Sequence, residues 1–324
     1  MVVTRLSYAR AIALALGEAM DADQRVFVLG EDVAHGGAYG ATHALLERFG
    51  PERVRDTPIS EAAIVGYSVG AALAGMRPVA EIMHMDFIAC AMDQVVNQAA
   101  KVRYMSGGKA GAPLVIRTGT GGWLSAAAQH SQSLEAWFVH VPGIKVVTAG
   151  TPADVRTVLR AAIADESPVL VIESLSLYER QDEVPEVPKE YRLGTADVKR
   201  SGSDATVVTW GAMVPRALEA ADELAAEGTQ VEVVDLLSLR PWDRETVLAS
   251  VERTNRVVVA HQAHRHGGFG AEVAATIAER AFDSLDAPVS RVGSLDVPVP
   301  FSPPLEEYVL PNADRIADAV RGLG

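Results

Sequence analysis

The sequence predicts an α/β protein of two domains built on mostly parallel sheets. Three observations lead there. The chain has 324 residues, room for two domains of ordinary size. Short apolar runs alternate with stretches of helical period, as expected when crossover helices join parallel strands. One charged segment, Glu179–Arg192, holds Pro185 and Pro188, has no clear period and interrupts the alternation, which then restarts. The expected division is an N-terminal domain over 1–180, a linker over 181–200 and a C-terminal domain over 201–324.

In the first half, Leu6, Ala9, Ala13, Leu16 and Met20 recur at helical spacing, so a helix is expected over 4–22 with Thr4 as its cap. Val26–Gly30 reads as a buried strand and 42–49 as a short helix. A helix over 62–76 follows Ser60, a capping residue type, and carries Gly66, Gly70 and Gly75 among alanines. Each glycine costs about 1 kcal/mol against alanine. The segment is therefore expected to be a buried helix in close contact with another element at a subunit interface. Then come a strand at 78–83, a helix at 87–104, a strand at 114–117, a glycine- and alanine-rich loop at 119–131, a helix at 133–140 and a strand at 145–149. Thr151-Pro152-Ala153-Asp154 opens a helix with a capping residue, a first-position proline and an early acid. A strand at 169–172 ends this half.

In the second half, strands at 205–210, 231–236, 256–260 and 289–292 alternate with helices at 215–227, 244–253 and 269–281. A proline-rich stretch at 297–304 precedes a closing helix at 312–323.

Composition narrows the function classes. A net charge of −13 and a pI near 5.1 do not suit a nucleic-acid surface, which needs concentrated positive charge. The single cysteine, Cys90, excludes an internal disulfide framework and a multi-thiolate metal site. Inside an apolar helix it reads as inert packing. No apolar run suits a membrane span, and Met1–Tyr8 lacks a signal-peptide core. A cytoplasmic location is expected.

Two stretches carry candidate chemistry. In Asp56-Thr57-Pro58-Ile59-Ser60-Glu61, Glu61 enters a tightly packed helix. It reads either as a first-turn acid favoured by the helix dipole or as a carboxylate turned into a cleft for proton chemistry. In Gln129-His130-Ser131-Gln132-Ser133, His130 ends a small-residue loop, flanked by side chains able to hold its tautomer. The alternative is a surface histidine capping the next helix. Met83 and Phe87 read as core filling or as the wall of an apolar slot. His261, His264 and His266 follow a strand, but no strong acid or cysteine lies alongside to complete a metal cage. Gly267-Gly268-Phe269-Gly270 opens a helix, a weak phosphate-binding signal.

Taken in order, Gly30-Glu31-Asp32-Val33, Asp56–Glu61, Arg77-Pro78, Met92-Asp93-Gln94-Val95, Arg103–Gly108, Gln129–Ser133 and Pro142–Val147 resemble the β subunit of the thiamine-diphosphate-dependent 2-oxoacid dehydrogenases: pyruvate, branched-chain 2-oxoacid and acetoin. The resemblance covers nearly the whole chain. It implies a transketolase-like fold, with an N-terminal pyrimidine-binding domain on a parallel sheet and a C-terminal α/β domain.

For the site, the resemblance implies that Glu61 hydrogen-bonds an aminopyrimidine nitrogen of thiamine diphosphate. Ile59, Met83 and Phe87 match positions lining that ring, and Glu31 matches an acid of a relay between two cofactor sites. His130 matches the histidine that positions or protonates intermediates and assists transfer to a lipoyl group. Leu114, Ala162, Ile163, Asp165 and Ser167 match a potassium site, with serine where asparagine is usual. The family's Gly-Asp-Gly motif, which holds diphosphate and Mg²⁺, does not occur in this chain. The resemblance therefore implies half of a site, completed by an α subunit in an α2β2 assembly that serves a lipoyl acyltransferase core.

The implied reaction is decarboxylation of a 2-oxoacid with reductive acylation of a lipoyl group. Acetoin cleavage, lipoyl-independent acyloin formation and a non-catalytic scaffold are the alternatives. His84 and Asp86 beside the expected pocket, and Gln262 with His264-Arg265-His266, depart from the family pattern.

Overall fold

The computed structural model describes residues 3–324. The first half runs β1 (Val3–Ser7), α1 (Tyr8–Ala22), β2 (Val26–Gly30), α2 (Leu45–Phe49), β3 (Val54–Asp56), α3 (Glu61–Leu73), β4 (Arg77–His84), α4 (Val102–Met105), β5 (Val115–Thr120), α5 (Glu135–Val139), β6 (Lys145–Ala149), α6 (Pro152–Ala164) and β7 (Val169–Ser174). The second half runs β8 (Gln181–Pro185), β9 (Asp197–Arg200), β10 (Ala205–Thr209), α7 (Met213–Ala226), β11 (Val231–Asp235), β12 (Ser238–Arg240), α8 (Arg244–Thr254), β13 (Val257–His264), α9 (Gly270–Arg280), β14 (Ser290–Ser294), α10 (Pro303–Val309) and α11 (Ala313–Arg321).

Two sheets organise the molecule. One has seven strands in the order β12-β6-β7-β5-β4-β2-β3, all parallel except the β12–β6 pair. The other has five, β14-β13-β10-β11-β9, parallel except for β9. Continuous valine- and isoleucine-rich runs form the central strands because helices cover both faces. One core cluster joins the halves, from Phe27 and Ile82 through Phe138 to Trp210 and Phe269. The seven-stranded sheet borrows β12 from the second half, a crossing that the sequence did not announce.

Several expectations are corrected. The first helix starts at Tyr8, not residue 4; Thr4 lies in β1, and Ser7 caps α1 by accepting from the Arg10 amide at 3.3 Å. The 181–200 segment is partly ordered into sheet: β8 pairs antiparallel with β1, and β9 with β11. Both are edge strands, where charges and proline are tolerated and the usual apolar signal is weak. The 297–304 stretch gives way to α10, with Pro303 and Pro304 in its first turn.

The helix expected over 87–104 is three pieces: a 3₁₀ segment at Met85–Ala91, a π-helical segment at Gln94–Ala99, and α4. Buried positions Met85, Ile88 and Ala91 lie three apart, then Val95 and Ala99 four apart. The tighter and wider helices follow that change of period. Cys90 consequently faces outward and is exposed, not packed.

Candidate functional site

Strands β5, β4, β2 and β3 lie side by side and parallel, so the loops after their carboxyl ends share one rim of the sheet. In open α/β sheets ligands bind at that edge. Glu31 follows β2, Ile59 and Glu61 follow β3, Met83 is next to last in β4 with Phe87 just beyond the strand, and the His130 loop follows β5. The structure thus brings all six candidates to one edge.

The rim is tied together by main-chain and carboxylate bonds. The Thr57 amide donates to the Gly30 carbonyl at 3.0 Å, and Asp56 Oδ1 accepts from the Ala34 amide at 2.7 Å. Glu61 is the first residue of α3, part-buried, where the helix's free N–H groups favour a negative charge. Ser60 occupies the N-cap position, yet its side chain makes no capping bond; the Ile64 amide bonds its carbonyl instead. Ile59 is 81% exposed, and Met83 and Phe87 are part-buried. Apolar side chains left uncovered beside a carboxylate match a flat, partly apolar ring that carries a hydrogen-bonding nitrogen.

Glu31 lies close enough to Glu61 to feel its charge. Its carboxyl is pushed above the ordinary range, first by burial and then by the charges of Glu61, Asp32 and Glu81. Glu81, on β4, is held by Arg117, whose Nη1 lies 2.6 Å away. Arg117 is 1% exposed and also grips Glu173 through two bonds of 2.8 and 2.9 Å. The Tyr178 hydroxyl donates to Glu173 at 2.6 Å. Breaking such a buried pair from one side costs about 3–5 kcal/mol.

His130 is exposed and stands edge-on to two rings, His84 at 5.0 Å and Phe87 at 5.2 Å between centroids. His84, 3% exposed, is hydrogen-bonded through Nε2 to the Tyr39 hydroxyl at 2.7 Å. Burial holds its pKa below the ordinary histidine value; the His130 charge adds to this and Asp86 opposes it. Tyr39 packs edge-on against Tyr178, so a chain of rings runs from the buried Arg117–Glu173 pair to the surface histidine. Two residues past His130, Asp86 Oδ1 accepts from both the main chain and the side chain of Gln132, at 3.3 and 2.8 Å.

Tyr39 and Glu306, which grips the His130 loop from the second half of the chain, were not singled out from sequence. Tyr39 stands between Gly37 and Gly40 with no local pattern, and Glu306 lies beyond a proline-rich stretch.

The five positions matched to a potassium site gather at the opposite edge, where β5 and β7 begin and α6 ends. The carbonyls of Ile163 and Asp165 accept from Arg77 Nη1 at 3.1 and 3.0 Å, and those of Leu114 and Ala162 from the Val169 and Asp165 amides. Lys145 Nζ lies 2.5 Å from the Asp165 carboxylate, and the Ser167 amide donates to Asp165 Oδ1 at 2.8 Å. An ion there would share these carbonyls with a guanidinium. Among the described residues, no group of three or more His, Cys, Asp or Glu is placed to hold a metal ion. Nor is any helix among them long and apolar enough to cross a membrane.

Comparisons with known proteins follow the same outline. Residues 4–181 match the family model described as transketolase, pyrimidine binding domain, and residues 194–316 match transketolase, C-terminal domain. The chain is 44% identical to a 2-oxoisovalerate dehydrogenase subunit beta of Bacillus subtilis over 98% of both chains. It is 45% identical to an acetoin:2,6-dichlorophenolindophenol oxidoreductase subunit beta of Cupriavidus necator, over 98% of this chain and 97% of that one. It is 44% identical to a pyruvate dehydrogenase E1 component subunit beta of Rhizobium meliloti, over 95% of this chain and 68% of that one. A solved structure titled split gene transketolase, inactive beta4 tetramer, superposes with a TM-score of 0.80 at 28% identity over 98% of both chains.

Proposed function

The chain belongs to the family of β subunits of the thiamine-diphosphate-dependent 2-oxoacid and acetoin dehydrogenases, and from that premise we propose that it supplies the pyrimidine half of an active site whose other half is an α subunit. One observation carries the proposal: four adjacent parallel strands deliver Glu61, Glu31, an apolar wall and His130 to one rim.

Thiamine diphosphate, when bound, would supply carbanion chemistry at the substrate's own carbonyl carbon. Glu61, at the start of α3, would hold and move a proton at the aminopyrimidine ring. Ile59, Met83 and Phe87 would flank that ring and exclude water. Glu31, whose proton is held more tightly than an ordinary carboxyl's, passes charge along the rim. His130 would position or protonate the reacting group and assist its transfer to the acceptor. The diphosphate and Mg²⁺ fall to the α subunit, since this chain has no Gly-Asp-Gly. The assembly is α2β2, and the acceptor is a lipoyl group on an acyltransferase core. A potassium ion at that site would compete with Arg77, which already bonds two of the carbonyls it would use.

Acetoin cleavage is the second reading, favoured by the 45% and 44% identity to two acetoin oxidoreductase β subunits. The test is co-expression with a Gly-Asp-Gly-bearing α subunit, then dye-linked oxidation of pyruvate, 2-oxoisovalerate and acetoin. Turnover that requires both chains supports the half-site. Turnover by the β chain alone overturns it. A stable, cofactor-bound complex silent on all three substrates favours the carboligase or scaffold alternatives.

A further inference from the structure

We propose that Glu306, on α10 of the C-terminal half, is the positioning residue for His130: its carboxylate is a built-in anion that holds the loop after β5 in the conformation presenting the imidazole. The kinetic part of this inference rests on the function proposed above; the structural part does not.

The loop is made to receive an anion. Three successive amides converge on one buried carboxylate. Trp123 and Leu124 donate to Oε1 at 2.7 and 3.3 Å, and Ser125 donates to Oε2 at 3.0 Å. Glu306 is 3% exposed. Such a concave run of N–H groups is the backbone nest that proteins use for phosphate and other anions; here the ligand belongs to the chain itself.

The loop would not hold this shape unaided. Trp123, Ser125 and Ala127 all have left-handed backbones, with φ of 66°, 51° and 64°. A side chain disfavours that region, and such residues persist only where their surroundings over-determine them. Glu306 is one such surrounding, and the fit around it is tight. A Cβ on Gly122 would lie 2.5 Å from Leu310 and 3.1 Å from Glu306 Oε1. The Trp123 ring is covered by the Arg216 guanidinium of α7, 3.9 Å from its centroid. The other end of the loop is fixed in the N-terminal half, where Gln132 bonds Asp86 and its carbonyl accepts from Thr120. His130 hangs between a pin from each half, so the C-terminal half takes part in the site at a distance.

The experiment is hydrogen–deuterium exchange on the assembled αβ enzyme, with kinetics alongside, for wild type, Glu306→Gln, Glu306→Asp and a control on the same helix, Leu305→Ala. In wild type the Trp123, Leu124 and Ser125 amides should be protected. In Glu306→Gln their exchange should rise about 10- to 100-fold with the rest of the chain unchanged. Acyl transfer should slow by about 10- to 100-fold, while thiamine diphosphate affinity and substrate KM hold. Glu306→Asp, too short to reach all three amides, should fall between, and Leu305→Ala should match wild type. Rapid exchange of the three amides in wild type overturns the proposal even if no Glu306 variant folds. So does wild-type loop protection in Glu306→Gln, or a slowing of every step in equal measure. An enzyme inert towards all substrates sinks the proposed function but leaves the exchange result to decide this one.

Discussion

Glu31 and Glu61 show how far a single residue can be read. The first-turn position of Glu61 was legible from Ser60 and the small-residue run behind it, but the task proposed for its side chain rests on the family resemblance. Glu31 carries a pH signature. Its carboxyl binds a proton more tightly folded than unfolded, because of burial and then the charges of Glu61, Asp32 and Glu81. From the ordinary carboxylate range up to its raised value, the folded state therefore holds more protons, and stability falls as pH rises through that window. Glu31→Gln should raise the thermal midpoint at neutral pH by roughly 1–3 °C and leave it unchanged near pH 4. A midpoint that drops at neutral pH would show that the charge is not costly. Tyr39 and Glu306 were not legible because their meaning lies in partners 45 and about 180 residues away; no local pattern encodes such contacts.

Among the elements, α6 was foreseen most fully, with Thr151 capping it, Pro152 opening it and Asp154 in its first turn. Helix α3 forms where small residues predicted a helix, but Ser60 makes no capping bond, Gly75 lies beyond its end and much of it is exposed in this chain. Its glycines and alanines predicted close approach to a neighbour, and part of that is internal: a Cβ on Gly66 would lie 3.3 Å from Gln94. The rest faces outward, with Ala62, Ala63, Tyr67, Gly70 and Leu73 exposed. A side chain on Gly70 would meet nothing within 4 Å in this chain. Gly70→Leu should therefore preserve or slightly raise the stability of the isolated chain, by up to about 1 kcal/mol from helix propensity. The same change should block assembly with the α subunit, read by light scattering of the co-expressed proteins. Normal assembly of that variant would remove α3 from the interface. The segment at 85–105 was misread because its buried positions change spacing midway, and a single helical period was imposed on them. The edge strands β8 and β9 were missed because their proline and charges read as linker.

At the scale of the molecule, alternation of strand and helix disclosed two α/β halves, but not how they share a core. Trp210 stacks on His261 at 5.1 Å and donates to Glu135 of the first half at 3.3 Å. Burial, helped by the Arg291 charge, lowers the His261 pKa to about 4. Between its unfolded value near 6.5 and about 4, the unfolded chain takes up a proton that the folded chain refuses, so stability falls with falling pH. Phenylalanine keeps the stacked ring without the titration. The advantage of His261→Phe over wild type should grow by about 1.4 kcal/mol per pH unit across that window, measured by denaturant unfolding. A constant difference would mean that His261 is not held neutral. The central claim, a half-site in which Glu61 activates the cofactor, is tested most directly without any substrate. Exchange of the thiazolium C2 proton for deuterium should be followed in the assembled αβ enzyme, for wild type and Glu61→Gln. The half-site account predicts exchange slowed by about 10²–10⁴-fold in the variant, with thiamine diphosphate still bound. Wild-type exchange in Glu61→Gln, or undiminished exchange in the α subunit alone, would contradict it.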